Sequence, residues 1–185
     1  RIPSDGVLSL EDSHFEGHLA SPDVHVDQVN GEIRMYFHGS DTVTGGGTGK
    51  AGPQFTRVSI SKDGLKFNVD SELLANPYLR AFRWSGNHYA IAMPGVFYRF
   101  EEGLSNFEEG PTLFSEDMRH AAVRVDGNVL QIFFTMAGDS PERIKLSTVD
   151  LSDDWMQWTA SDSIDVLSPE LPWEGSEMPQ EPSKR

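Results

Sequence analysis

The sequence contains no cysteine among its 185 residues. Disulfide bonds, thiolate catalysis and zinc–thiolate sites are therefore excluded. No apolar run approaches the roughly 18 residues that a membrane-spanning helix needs, and no signal-peptide pattern is visible. Basic residues are scarce, because 15 Lys and Arg stand against 29 Asp and Glu, a formal net charge of −14. We therefore expect no nucleic-acid partner and no membrane adsorption, whereas a neutral sugar or a cationic ligand stays compatible.

Several common catalytic motifs are also missing. We find no dinucleotide fingerprint, no nucleophile elbow and no His pair at the spacing of a helical zinc site. The stretch "GGGTGK" lacks the Walker spacing and no helix-forming run follows it, so we interpret it as a flexible inserted loop and not as a phosphate cradle. We predict no cofactor and no metal.

What the chain does contain is a repeat. The segments "HVDQVNGEIRMYFHG", "FRWSGNHYAIAMPG" and "VRVDGNVLQIFFTMAG" each join two strands through an Asn-Gly or Gly-Asn turn and end at a glycine. Both residue types tolerate positive φ, which makes this pairing a strong hairpin signal. We predict hairpins at Asn30-Gly31, Gly86-Asn87 and Gly127-Asn128.

A second shared piece follows each hairpin: "RVSISKDGLKF", "VFYRFEEGLSNF" and "IKLSTVDLSDDWMQW". Units of roughly 40–50 residues with four short strands are typical of β-propeller blades, and helical periodicity is poor throughout. We predict an all-β fold in which residues 1–185 form a single partial propeller domain of about three complete blades. "VLSLEDSHFEG" then resembles the outer edge of a preceding blade, and "IDVLSPELPWEGSEM" the entry to a fourth. Because three blades leave faces uncovered, we also expect a homo-oligomer.

The segment "ASPDVHVDQVNGEIRMYFHG" resembles the blade-entry motif of five-bladed β-propeller glycosidases, those of glycoside hydrolase family 43 and its relatives, and "SKDGLKF" is similar to a turn that recurs in them. That family uses an Asp as general base, a second Asp that tunes pKa values, and a Glu as general acid. The resemblance implies that Asp23 is the second Asp and that Glu174, in "WEGSEM", is the acid. Two blade entries separate them, whereas the family has them on adjacent blades, and the blade of the base would precede residue 18.

The predicted blade entries "GHLASPDVHV", "PYLRAFRW", "DMRHAAVRV" and "WEGSEM" each carry a charged residue or a histidine. Innermost strands of a propeller line its channel, so we expect these side chains to meet in one polar cavity. We predict Asp23 and Glu174 as catalytic residues, with an isolated Glu174 of raised pKa. The predicted substrate-binding residues are His18, Arg80, Arg119, His120 and Glu177.

Each candidate also has a structural interpretation. Asp23 is suited to capping a turn after Ser21-Pro22, His120 to a structural role, and Arg80 to an ion pair. For a further set we favour structure over function: His25 and His38 in the sheet, Asp27 in the turn, Glu109 at the outer end of a blade, and Trp155 and Trp158 in packing.

The function that the sequence indicates is a carbohydrate-active protein that acts on or binds a glycan. Hydrolysis would use an acid and a base carboxylate, but the chain lacks a complete set, so catalysis stays open. A non-catalytic propeller that binds a sugar or another partner is the alternative, and a purely structural interaction domain is a third.

Overall fold

The computed structural model describes residues 7–41 and 53–182, and the "GGGTGK" loop predicted above lies outside the described residues. The described chain is built of β-strands with three short 3₁₀ helices. It forms two compact units, of which the first ends at Leu79 and also includes Phe100–Phe107, and the second contains Arg80–Arg99 and the residues from Glu108 onward. No helix in these described ranges is long and apolar enough to span a membrane.

The first unit contains one four-stranded antiparallel sheet in the order β1–β2–β3–β4. Its strands are β1 (Glu16–Asp27), β2 (Glu32–Ser40), β3 (Gln54–Ser61) and β4 (Asn68–Val69). The hairpin between β1 and β2 turns at Asn30-Gly31, as predicted, and Gly31 takes the positive φ of 59° that this turn requires. The segment Phe100–Phe107 packs on this sheet, where the Tyr36 hydroxyl donates to the Gly103 carbonyl.

Two more four-stranded antiparallel sheets follow, and each is connected in chain order. The second contains β5 (Arg80–Trp84), β6 (Asn87–Ala92), β7 (Val96–Phe100) and β8 (Glu108–Thr112). The third contains β9 (Met118–Asp126), β10 (Val129–Met136), β11 (Ile144–Asp150) and β12 (Ile164–Leu167). Gly127 lies in the predicted Gly127-Asn128 turn with φ of 61°, whereas the second turn is Ser85-Gly86, one residue earlier than predicted, because Asn87 already pairs with Trp84 at the start of β6. The three predicted blades and the all-β class are therefore confirmed.

The second unit has a continuous apolar core between its two sheets. Buried residues from both sheets contribute: Phe82, Tyr89, Ile91, Phe97, Met118, Ala121, Leu130, Ile132, Phe134, Val149, Leu151, Trp155 and Trp158. The Trp158 ring lies 4.9 Å from the Tyr89 ring, and Trp155 sits against Gly110, where an added Cβ would come within 2.2 Å of the indole. The packing role predicted for both tryptophans is confirmed. Strand β5 lies beside β9 in this arrangement.

The segments that flank the three sheets differ from the expectation. Residues 7–17 contain a 3₁₀ helix, Glu11–Ser13, that leads into β1, and no separate strand of a preceding blade. Residues Ile164–Leu167 pair with β11 and complete the third sheet, so they do not enter a fourth. Glu109 lies on β8, the edge strand farthest from β5, as predicted for an outer position.

Truncation of Leu130 tests the inter-sheet core. Leu130 is fully buried, whereas its neighbour Val129 is 38% exposed on the same strand. We expect Leu130→Ala to lower the free energy of unfolding by about 2–5 kcal/mol, because it removes apolar contacts and leaves a cavity. Val129→Ala is the control and should change it by less than about 0.5 kcal/mol. Urea unfolding measures both, and equal losses in the two variants would contradict this description of the core.

Candidate functional site

Each sheet begins with a non-glycine residue at positive φ next to or within its first strand. These residues are Ser21 with φ of 50°, Tyr78 with φ of 60° and His120 with φ of 56°. Such a conformation is strained for a residue with a side chain and often occurs at functional sites. The strain falls at the same place in all three sheets, so it is a property of the repeat.

In β1 and β9 the strained residue belongs to a β-bulge. The ladder between β1 and β2 skips from Ala20 to Asp23, and the ladder between β9 and β10 skips from Arg119 to Ala122. An extra residue on one strand bends it and turns the neighbouring side chains. Asp23 and Ala122 each lie two residues after the strained residue of their sheet, so they occupy equivalent positions. Arg80 lies two residues after Tyr78 and holds the same position in the second sheet. His120 instead matches Ser21 and Tyr78, so the predicted site residues do not share one repeated position.

In the first unit, His18 lies beside a buried aromatic cluster. Its Nδ1 atom is 3.5 Å from the Ser40 hydroxyl, and its ring meets the ring of His38 edge-on at 5.8 Å. His38 is buried, its ring lies 4.2 Å from the ring of Tyr78, and its Nδ1 atom accepts a hydrogen bond from the Tyr78 N–H. These contacts fit the structural role that we favoured for His38.

Asp23 forms a close pair with His25. Its Oδ2 atom is 2.8 Å from His25 Nε2, and it faces Tyr36 across the ladder. Burial raises the pKa of Tyr36 to about 12, and Arg34 acts in the opposite direction. We did not predict the pairing of Asp23 with His25 from the sequence. The spacing of two residues was the available signal, because it puts both side chains on one face of a strand.

Asp27 has the turn role that was predicted for it. Its carboxylate accepts hydrogen bonds from the N–H groups of Val29 and Asn30, at 3.0 and 3.1 Å. A bond from the Asn30 side-chain amide adds to these and is the largest cause of the lowered pKa of Asp27. The carboxylate therefore closes the first hairpin.

In the second unit, three predicted residues lie within electrostatic reach of one another. Partial shielding from water lowers the pKa of His120, and the positive charges of Arg119 and Arg80 lower it further, while Glu142 opposes them. Arg119 is mostly buried, and its Nε atom lies 3.9 Å from Glu142 Oε1. The structure thus brings together Arg80, Arg119, His120 and Glu142, which we call the arginine cluster.

An open cavity of about 310 Å³ lies next to the arginine cluster, and Glu142 lines it. Glu174 lines it as well, together with Thr135, Arg143, Ile144, Leu167, Ser168 and Pro169. Thr135 pairs with Arg119 in the β9–β10 ladder, and its buried hydroxyl has no hydrogen-bond partner in the described part of the chain. The cavity therefore opens at the end of the third sheet where β9 begins.

The expected raised pKa of Glu174 is wrong. Its Oε2 atom accepts hydrogen bonds from the backbone N–H groups of Glu170 and Leu171, at 2.9 and 3.1 Å. These bonds stabilise the ionised form and lower the pKa of Glu174. Glu174 lies in the last 3₁₀ helix, Pro172–Glu174, and Glu177 follows it as an exposed residue.

Two further residues were missed in the sequence. Glu142 lies in the connection between β10 and β11. This connection lies at the end of the sheet where β9 starts, close to Arg119. No sequence motif marks Glu142. Trp173 is 79% exposed next to Glu174. A Trp beside a Glu at a predicted blade entry was a usable signal for a ligand surface. Within the described ranges, no three His, Asp or Glu side chains gather as a metal site would require.

The chain is similar to a curated protein and to several solved structures. The chain is 30% identical, over an alignment of 199 positions, to the uncharacterized protein R118 of Acanthamoeba polyphaga mimivirus, with 96% of this chain and 52% of R118 covered. The GH43 protein BlXynB of Bacillus licheniformis matches 82% of this chain with a TM-score of 0.55 and 12% identity, over 31% of its own length.

A second solved structure is Zg3597 of Zobellia galactanivorans, a family 117 glycoside hydrolase. It matches 77% of this chain with a TM-score of 0.55 and 10% identity, over 54% of its own length. No family model matches the chain. The three sheets therefore have the fold of β-propeller glycosidases, and the chain spans about half the length of the curated relative that it matches.

Titration of His120 tests the geometry of the arginine cluster. We expect its pKa to lie below the ordinary histidine value of about 6.5. Arg119→Ala should raise this pKa, because it removes a neighbouring positive charge, and Glu142→Gln should lower it further. Two-dimensional NMR of the histidine rings measures each value. Arg124→Ala is the control, since that exposed side chain lies toward the other end of β9. An ordinary His120 pKa that neither variant moves would contradict the cluster.

Proposed function

We propose that this chain recognises a glycan, as part of a glycosidase-like β-propeller. The observation that carries the proposal is the contact between the arginine cluster and the cavity. Glu142 belongs to both, and Glu174 lines the same cavity. Together with the fold that the chain shares with glycoside hydrolases, this concentration of polar groups at one end of the third sheet supports a sugar as the ligand.

The chemistry of the cavity suits a sugar unit. Its volume of about 310 Å³ lies at the lower end of the range for small-molecule pockets, roughly 300–1,000 Å³. The carboxylates of Glu142 and Glu174 accept hydrogen bonds from hydroxyl groups, and Arg143 donates them. Trp173 offers an exposed aromatic face beside Glu174 for the apolar side of a sugar ring.

The first unit has its own candidate residues. By the family resemblance, Asp23 holds the position of the carboxylate that tunes pKa values, and its close pair with His25 would fix the orientation of that carboxylate. His18 belongs to the same unit. The predicted meeting of these two residues with Arg80, Arg119, His120, Glu174 and Glu177 in one cavity stays a prediction.

A second candidate function is glycan binding without catalysis, and the state of Glu174 favours it. A general acid must hold a proton near neutral pH, which requires a raised pKa. The hydrogen bonds from two backbone N–H groups instead lower the pKa of Glu174. Glu174 is therefore better suited, as the chain stands, to accepting hydrogen bonds from a ligand than to donating a proton.

Binding measurements on a panel of oligosaccharides test the proposal. We expect at least one to bind, and Glu142→Gln to weaken it by about tenfold, the effect of one charge-assisted hydrogen bond. Glu109→Gln is the matched control, because Glu109 is an exposed carboxylate on the edge strand β8. Titration calorimetry measures both. Failure of every oligosaccharide to bind, or equal effects of the two variants, would overturn glycan recognition at this cavity.

An assay with chromogenic aryl glycosides separates the two candidates. In the enzymatic case the protein releases the chromophore and Glu174→Gln abolishes the release. In the binding case the unmodified protein binds oligosaccharide in the calorimeter and releases no chromophore. Turnover that survives Glu174→Gln would exclude Glu174 as the acid and contradict the role that the resemblance implies.

A further inference from the structure

We infer that Asp165 is a positioning residue for the cavity, because its carboxylate fixes the part of the lining that follows β12. This part, which we call the β12 wall, consists of Leu167, Ser168 and Pro169. Asp165 is not part of the lining itself and acts through its contacts with neighbouring cations. The inference rests on the proposed function and adds a residue that keeps the ligand site in shape.

Strand β12 gains little from apolar burial. Its side chains Ile164, Val166 and Leu167 are 62%, 49% and 58% exposed, whereas the neighbouring strand β11 buries Val149 completely. The ladder between β11 and β12 has only three paired positions. The attachment of β12 to the sheet therefore depends on this short ladder and on the polar contacts of its side chains.

A β-bulge directs the chain from β12 into the β12 wall. The ladder passes from the pair of Lys145 and Asp165 to the pair of Ile144 and Leu167, and it skips Val166. An extra residue bends the bulged strand and turns the neighbouring side chains. Ile144 and Leu167 lie opposite each other after the bulge, and both line the cavity. Asp165 is therefore the residue at which the regular ladder ends and the approach to the cavity begins.

The carboxylate of Asp165 accepts hydrogen bonds from two cations. Lys145 Nζ donates to Oδ1 at 2.8 Å, and Arg143 Nη1 donates to Oδ2 at 3.1 Å. These two bonds, that from Lys145 first, lower the pKa of Asp165, so the carboxylate is ionised at neutral pH. Lys145 lies in β11 and Arg143 directly precedes that strand. The contacts, which we call the Asp165 bridge, thus join β12 to β11 beside the bulge.

Both cations have further partners that hold them in place. Asp139 Oδ2 lies 3.7 Å from Lys145 Nζ and 4.0 Å from Arg143 Nε. Arg143 also donates to two backbone carbonyls in the connection between β10 and β11. Arg143 itself lines the cavity. The Asp165 bridge therefore connects the β12 wall to another part of the same lining.

Loss of the Asp165 bridge should loosen the β12 wall and weaken ligand binding. An exposed ion pair contributes modestly to the stability of a whole protein. Its effect on β12 is local, because this strand has little apolar burial that would hold it otherwise. A ligand that requires the ordered wall loses affinity in proportion to the fraction of molecules in which the wall is displaced.

Hydrogen exchange followed by mass spectrometry tests the Asp165 bridge without a ligand. We expect Asp165→Asn and Lys145→Gln each to speed exchange in residues 164–169 by about threefold. Lys145 lies outside this segment, so its variant alters the exchange only through the structure. Asp165→Glu should restore part of the protection. Asp162→Asn is the matched control, since this exposed carboxylate makes no ion pair in the described part of the chain. Residues 130–134 of the core serve as the reference for intact folding.

Binding measurements connect the Asp165 bridge to the cavity. The probe is the neutral oligosaccharide of the panel that binds most tightly, measured by calorimetry. Asp165→Asn and Lys145→Gln should both weaken it by about threefold. The two variants change the net charge in opposite directions, so a direct electrostatic effect on the ligand would have opposite signs. The double variant should match Asp165→Asn alone, because both substitutions remove the same contact.

The outcomes distinguish the inference from the proposed function. Unchanged exchange in residues 164–169 of Asp165→Asn would overturn the inference and leave glycan recognition intact. Faster exchange with unchanged affinity, or opposite effects of the two variants on affinity, would overturn the positioning role. Failure of every oligosaccharide to bind, together with faster exchange in both variants, would overturn glycan recognition and support the Asp165 bridge.

Discussion

The strained entry of each first strand is the constraint on which the placement of the candidate residues depends. Ser21, Tyr78 and His120 hold positive φ at corresponding points of the three sheets. The conformation is unfavourable by about 1–3 kcal/mol for each residue, so it persists because the surrounding ladder and core fix it.

For His120, the apolar core of the second unit supplies that support. Phe82, Tyr89 and Trp158 stack between the second and third sheets, with ring centroids 4.9–6.5 Å apart. Their packing sets β5 beside β9, and this neighbouring position gives Arg80 and Arg119 a common electrostatic environment. The arginine cluster is thus a consequence of hydrophobic packing at a distance from it, because the same strands carry both sets of side chains.

Local chemistry explains which features could be predicted from the sequence. Asn-Gly and Gly-Asn pairs specify hairpins through the conformations of two residues, so all three hairpins were found, although the second turn lies one residue earlier, at Ser85-Gly86. The last strand of the third sheet was assigned wrongly, because "IDVL" has no turn signal that separates the end of one blade from the start of the next. Glu142 was missed, since it reaches Arg119 through the fold and not through any spacing in the chain. The pKa of Glu174 was misjudged because two backbone N–H groups, which no side-chain pattern reveals, bind its carboxylate.

The arginine cluster and the cavity share Glu142 at one end of the third sheet. Their common location is the central claim. Chemical-shift mapping of the isotope-labelled protein, titrated with an oligosaccharide that binds, tests it most directly. We predict that the largest shifts fall on the side chains of Arg80, Arg119 and His120 and on the backbone around Glu142 and Trp173. Shifts confined to residues outside this end of the sheet, with these positions unchanged, would contradict the account.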